Sequence, residues 1–333
     1  MDQIAFFFRE HAVYWSSVLL LLAVCVSVFL FLSLYLGRSG KTSAAFGVMP
    51  LAVLLSFFFA RLMHWYCFPE SYSGFAAAME DYSQGGFALV GAFAGCALAV
   101  GILSVLKLVP DPARMLDCMC LAGGAGIAIG RLTFFFNTGD RGWIMENIRS
   151  LPLASSVINV VSKATEYRFA TFMLQALITG LLTLVLLGFY LGRREKKWKD
   201  GELSLVFLLC YCAAQLLLDS TRNDSMYFRS NGFVSVVQVL SAVAIVSISV
   251  IFSVRLVKKR GFHFGQVILW VLMLALLGVT GYMEYFVQRH GNQAAMCYSV
   301  MGACLCTYAA IALGIRAVAG KKAPAYLAKN TVF

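Results

Sequence analysis

The chain has 333 residues, 60% of them hydrophobic and only 13% charged, with a mean hydropathy of +0.79. This excludes an ordinary soluble domain, and the apolar residues fall in blocks of about 20, the length that spans a bilayer core of about 30 Å as a helix. The net charge of +11 is not a nucleic-acid signal, because Lys and Arg gather in the short connections between apolar blocks, the pattern of cytoplasmic loops beside anionic lipid.

Residues 1–12 carry Asp2, Arg9 and Glu10 rather than a basic cluster, and the apolar run that follows is too long for a secretory signal peptide, so the first helix is expected to be retained. Nine spans are predicted, at about 13–36, 45–68, 87–106, 115–136, 169–191, 203–218, 233–254, 267–286 and 296–317. The connections at 37–44, 107–114, 192–202 and 255–266 are basic, whereas 69–86 holds Glu70, Glu80 and Asp81 without Lys or Arg. The positive-inside rule therefore places the N-terminus outside and the C-terminus, with Lys321, Lys322 and Lys329, inside. The long 137–168 connection, with Trp143, Pro152 and a β-branched run at Val157–Val161, predicts a small extracytoplasmic cap with some strand or short-helix character.

The expected architecture is an all-α polytopic membrane protein with a seven-span core, two extra C-terminal transmembrane helices and the small cap. Residues 1–256 form the membrane domain, with the cap at about 137–168, and 257–333 form a two-helix extension with a basic tail. The ten cysteines suggest neither a disulfide framework nor a metal site. Cys118/Cys120, Cys210/Cys212 and Cys304/Cys306 are spaced i, i+2, so on a helix the members of each pair point apart.

Polar residues inside apolar spans are expensive and have to face protein or water. Arg61 lies near the external end of span two, in Ala60-Arg61-Leu62, either snorkelling to the interface or facing a phosphate or carboxylate. Gly85, Gly86, Gly91 and Gly95 open span three with a smooth face, suited to close helix packing or to an acyl chain. Arg131 stands about five residues from the external end of span four, before an Asn-Thr-Gly-Asp-Arg-Gly turn at 137–142. The spacing predicts an anionic headgroup site, with turn N–H groups freed by Gly139 and Gly142 to face the anion. Tyr211, Gln215, Asp219 and Arg222, spaced four, four and three, fall on one helical face. They form either a polar cavity wall, continued by Gln238 and Ser241, or a structural Asp219–Arg222 pair.

With these residues in view, the chain resembles bacterial prolipoprotein diacylglyceryl transferases over about residues 13–256. The family's Gly-Ala-Arg-Leu is similar to Phe59-Ala60-Arg61-Leu62, and its Gly-Arg-Ile-Gly-Asn-Phe-Ile-Asn-Gly-Glu-x-x-Gly lies on Gly130–Gly142, with Gly130, Arg131, Asn137 and Gly142 matching. Its Tyr-Gly-x-x-Arg-Phe-x-x-Glu-x-x-Arg resembles Tyr211 through Arg222, with Asp219 for the glutamate, and its Gly-Gln-x-x-Ser resembles Val237 through Ser241. The sequence departs where a family histidine falls on Val90, an asparagine on Phe134, a glutamate on Gly139 and an arginine on Gln215.

The resemblance implies an enzyme of the bacterial inner membrane that moves the diacylglyceryl group of phosphatidylglycerol to the lipobox cysteine thiol of a prolipoprotein. Its partners would be phosphatidylglycerol, the prolipoprotein signal peptide and the lipid bilayer, with no cofactor, no metal and no nucleic acid. Arg131, Asp219 and Arg222 are the implied catalytic set. Arg61, Gly85, Gly86, Gly91, Asn137, Gly142, Tyr211, Gln215 and Gln238 are the implied phosphatidylglycerol contacts. Two other readings compete. One is a non-catalytic paralogue that binds phospholipid or lipoprotein precursors, motivated by the altered positions and the two added spans. The other is a transporter, for which no half-to-half repeat is evident.

Overall fold

Within a bilayer every backbone N–H and C=O has to be met inside the protein, so apolar blocks of this length fold as helices. The computed structural model describes residues 4–8, 11–38, 40–80, 86–137, 139–144, 154–158, 164–192, 198–228, 231–290 and 293–320, and each predicted span in it is a helix. These are α1 (Trp15–Leu36), α2 (Thr42–Cys67), α4 (Leu89–Val105), α5 (Pro112–Arg131), α6 (Thr171–Leu191), α7 (Glu202–Ser220), α8 (Val236–Arg260), α9 (Phe264–His290) and α10 (Ala294–Gly320). A six-residue helix, α3 (Phe75–Glu80), precedes α4. Eight of the helices are long and apolar enough to cross a membrane, and α4, with 17 residues, is shorter. The protein is an all-α, multi-pass membrane protein.

Two helix ends differ from expectation. α5 stops at Arg131 and tightens into a 3₁₀ turn over Leu132–Phe135, so Arg131 stands in the last α-helical turn. α7 stops at Ser220, which takes Arg222 off the helical face carrying Tyr211, Gln215 and Asp219.

The chain divides into two compact units. The first comprises Met1–Gly192, Asp200–Phe207 and Thr221–Val237. In it α4 packs on α2, and α5 packs between α1 and α6. Small residues decide how close α2 and α4 come: a Cβ at Gly91 would lie 2.2 Å from the Phe59 carbonyl oxygen, and one at Gly95 would lie 2.5 Å from the Leu55 carbonyl. Asp117, fully buried on α5, accepts the backbone N–H groups of Gly201 (2.8 Å) and Ser204 (2.7 Å), meeting donors that the start of α7 leaves open.

Three antiparallel hairpins complete this unit: β1 (Ile4–Phe8) with β2 (His11–Tyr14), β3 (Ala154–Ile158) with β4 (Thr165–Phe169), and β5 (Tyr227–Phe228) with β6 (Asn231–Ser235). The β3–β4 pair provides the strand character expected of the cap, with Val157 and Ile158 in β3, while 159–163 lie outside the described residues. The other two hairpins carry no strong alternation and were not anticipated.

The second unit comprises Arg193–Lys199, Leu208–Ser220 and Gln238–Phe333. α9 packs on α10. α8 joins them through Trp270 Nε1, which donates to Ser253 Oγ at 2.9 Å, and Tyr308 Oη, 3.0 Å from Ser249 Oγ. At the basic end, the Arg316 guanidinium lies 3.4 Å from the centre of the Trp198 ring, and Lys259 donates to the last carbonyls of α10, at 2.8 Å for Ala319.

The α2–α4 contact tolerates no side chain at Gly91, whereas a Cβ at Gly101 on the same helix meets nothing within 4 Å. Gly91→Val is expected to cost about 1–3 kcal/mol of stability through overpacking. Gly101→Val should leave thermal unfolding in detergent close to wild type. Equal midpoints for the two variants would show that the contact is not limiting.

Candidate active site

The chain turns sharply after α5 and its 3₁₀ extension, and Asp140 makes the turn. Its φ of +59° lies in the left-handed region, where Asp and Asn are the non-glycine residues most often found. That conformation sends a fully buried carboxylate back toward α5. There Arg131 Nη1 donates to Asp140 Oδ2, and Arg222 Nε lies 2.7 Å from Oδ1 as an ion pair. The Arg222 N–H itself points to Asp224 Oδ1 at 3.1 Å, and the backbone N–H of Asp140 donates to Asp224 Oδ2 at 2.8 Å. A buried carboxylate is sustainable only when paired in this way. Asp140, missed as a site residue from sequence, ties together the end of α5, the 139–144 turn and the segment after α7.

The same turn becomes an added strand. Gly142 donates to the Phe169 carbonyl (2.7 Å), Phe169 to Trp143 (3.1 Å) and Asn223 to Arg141 (3.0 Å), so 141–143 is hydrogen-bonded to the end of β4 and to the post-α7 segment. A Cβ at Gly142 would come 2.7 Å from the Thr221 carbonyl oxygen, which explains why glycine is needed there. The expected role of the Gly142 N–H in anion binding is therefore corrected: that donor is spent on Phe169. The anion seated in the turn is the protein's own Asp224.

Arg141, 7% exposed, points the other way. Its Nη1 donates to the Ser156 carbonyl (2.7 Å) and its Nη2 to the Asn137 carbonyl (2.8 Å), while its buried Nε has no hydrogen-bond partner. Among the described residues no carboxylate pairs with it. Burial, and then the neighbouring Arg168, lower its pKa from the ordinary arginine value. Arg168 is matched by Glu166 at 3.0 Å. Arg131, Arg141 and Arg222 thus stand against Asp140 and Asp224, three guanidinium groups to two carboxylates.

The other predicted contacts are placed differently. Arg61 is 1% exposed and does not snorkel to the interface. It donates to the Ala78 carbonyl and, at 2.8 Å, to the Gly86 carbonyl, with its guanidinium 4.9 Å from the Tyr72 ring centre. A Cβ at Gly86, whose φ is +85°, would lie 2.5 Å from Arg61 Nη1. Arg61 and Gly86 therefore fasten the approach to α4, Gly91 is a packing glycine, and Gly85 lies outside the described residues. Asn137 contributes its backbone carbonyl to Arg141 and leaves its side chain exposed. Tyr211, Gln215, Asp219 and Gln238 belong to the second unit, each at most 5% exposed, and Gln238 Nε2 donates to the Leu216 carbonyl at 3.4 Å. The four-residue polar face is corrected to three residues, because α7 ends before Arg222. Among the described residues no cluster of His, Cys, Asp or Glu is arranged to hold a metal ion.

An arginine pair closed on one carboxylate at the end of a membrane helix invites comparison with known proteins. The profile of the prolipoprotein diacylglyceryl transferases matches residues 3–255. The chain belongs to that family. Two Streptococcus pyogenes proteins, from serotype M3 (strain MGAS315) and serotype M5 (strain Manfredo), are named phosphatidylglycerol–prolipoprotein diacylglyceryl transferase. Each is 24% identical over 258 residues, covering 77% of this chain and 95% of its own length. The chain is thus a membrane-embedded transferase of lipoprotein biosynthesis, and α9 and α10 follow the end of the family match.

Two predictions follow from the Asp140 pairing. Asp140→Ala leaves two guanidinium groups without their shared buried carboxylate and is expected to cost about 3–5 kcal/mol. Adding Arg131→Met should recover part of that loss of thermal stability, whereas an unchanged midpoint for the single variant would exclude the pairing as a structural constraint. Asp224 supplies the pH dependence. Burial pushes its carboxyl pKa up, but Arg222 and the Asp140 N–H outweigh burial and hold it below the ordinary carboxylate value. Its stabilisation is therefore complete above the unfolded pKa of about 3.9 and lost as pH falls through the lower folded value. Asp224→Asn should flatten the acid side of the stability profile, and a profile that keeps its slope would assign the dependence to another group.

Proposed function

We propose that the chain transfers the diacylglyceryl group of phosphatidylglycerol to the lipobox cysteine of prolipoproteins. The observation that carries this reading is the Arg131–Asp140–Arg222 knot with Arg141 beside it, an assembled arginine-rich site at the end of α5 remote from the basic 107–114 connection. With basic connections toward the cytoplasm, that end faces the outer leaflet of the bacterial inner membrane, with the N-terminus outside and the C-terminus inside.

In the reaction the cysteine sulfur attacks the glyceryl carbon next to the phosphate. A C–S bond forms, the C–O bond to phosphate breaks, and glycerol phosphate leaves with the electron pair. Charge develops on the departing oxygen, and preorganised guanidinium groups stabilise that charge without reorganising. Arg131 and Arg222 are held by Asp140, so they are set before substrate arrives. Arg141, already desolvated, hydrogen-bonded to neutral carbonyls and close to Arg168, gains most from a phosphate. The thiol, with an ordinary pKa of about 8.5, has to lose its proton. Asp219, three residues before Arg222 in the chain, is the candidate acceptor by residue type, tested by Asp219→Asn.

The test is complementation of cells depleted of their own transferase, reading diacylglyceryl on prolipoproteins by mass. The wild-type chain should restore it, and Arg131→Gln should lower the rate on the order of 10²-fold or more. Normal modification by Arg131→Gln would remove the site assignment. A wild-type chain that inserts, folds and modifies nothing would instead be a phospholipid-binding relative without the activity.

A further inference from the structure

A groove of about 500 Å³ opens between α8, α9 and α10, entirely within the second unit, and includes none of the residues of the knot. Its volume falls within the roughly 300–1,000 Å³ of small-molecule sites. The floor includes Ser249, Ser253, Met273 and Tyr308, each at most 7% exposed, and the rim includes Val250 and Val254, both more than 40% exposed. The polar atoms of the floor are already engaged. Ser249 Oγ donates to the Ile245 carbonyl at 2.7 Å and meets Tyr308 Oη at 3.0 Å, and Ser253 Oγ accepts from Trp270 Nε1 at 2.9 Å. The groove therefore presents hydrocarbon to its contents, although it contains hydroxyl groups. In a bilayer such a space holds neither water nor vacuum, because lipid tails are the solvent there.

One end is charged. Lys258 lines the groove in the last turn of α8 and is exposed. Its neighbour Lys259 is committed to the end of α10, but among the described residues no acceptor or carboxylate takes the Lys258 ammonium. An apolar slot ending at a free cation is complementary to a molecule with a long apolar tail and an anionic head.

We propose that this groove is a binding site for an anionic glycerophospholipid, with one acyl chain along α8 and α9 and the phosphate on Lys258. The site is independent of the transfer reaction, since it uses none of the groups assigned to it. It also gives the two helices after the family match a role, as the far wall of a lipid site on α8.

The full chain, in nanodiscs of phosphatidylethanolamine, is tested with trace phosphatidylglycerol or phosphatidylcholine carrying the same photoreactive acyl chain, and labelled peptides are mapped by mass spectrometry. The phosphatidylglycerol probe should label 246–274 several-fold more than the phosphatidylcholine probe. Lys258→Glu should abolish that difference, and Val250→Trp should remove labelling of the segment by both probes. Leu272→Trp, on a lipid-exposed face outside the groove, should change neither. The same measurements on Arg131→Gln separate this site from the transfer site, because labelling of 246–274 should persist there. The proposal is overturned if the probes label 246–274 equally in the wild type, if labelling is even over all lipid-facing helices, or if a second protein chain is cross-linked in the groove instead.

Discussion

A carboxylate with no exposure to solvent is costly unless charged partners and donors meet it, and in this protein that requirement falls on Asp140. Its partners come from three places in the chain: Arg131 ends α5, Arg222 follows α7, and Asp224 receives the Asp140 N–H. Satisfying one charge therefore fixes the relative positions of segments more than 80 residues apart. The left-handed φ at Asp140, the strand-like run of 141–143 and the closely packed Gly142 are local consequences of bringing those segments together. An apolar replacement of the whole cluster would be no less stable by general experience with buried ion pairs.

The departures from the family pattern are compensated in space. A Cβ at Gly139 would meet the Phe134 ring at 3.1 Å and stand 3.6 Å from Asp224 Oδ2. Phe134 and Gly139 are the positions where the family resemblance leads one to expect asparagine and glutamate, and here they are neighbours, a large ring against an absent side chain. Asp140 directly follows Gly139, and Asp224 lies across the turn from it. The Phe134 ring stays close to the cation it flanks, with the Arg131 guanidinium 5.9 Å from its centre. Loss of polar groups at two positions has therefore not left the arginines unpaired.

Most of the helical architecture was legible because hydropathy over some 20 residues is a local signal with a strong physical cause, the absence of backbone partners in lipid. Arg131 was legible for the same reason, as a charge where lipid was expected. The errors arose where the answer depends on contacts distant in sequence. Spacing alone put Arg222 on the face of α7, but the helix ends at Ser220 and the arginine turns to Asp140 instead. Gly142 looked like a free donor until β4 claimed its N–H. For Arg61 the sequence left open an interfacial position or an anionic partner, and the carbonyls of Ala78 and Gly86 close over it. Asp140 and Asp224 did carry one readable hint, as acids close to arginines of a turn in an acid-poor chain.

In the helices after the family match several polar groups find partners inside the protein, although the buried Glu284 Oε2 does not. Thr280, Ser299 and Thr307 each donate back to the carbonyl four residues earlier, and Tyr308 reaches Ser249 across to α8. Those hydroxyl groups are satisfied internally, so α9 and α10 carry them at little cost. Lys258 is a cation at the mouth of an apolar slot with no protein partner among the described residues. In the knot, carboxylates of the protein hold the guanidinium groups in place. In the groove, no protein carboxylate does so, and the bilayer itself is the nearest source of the missing anion.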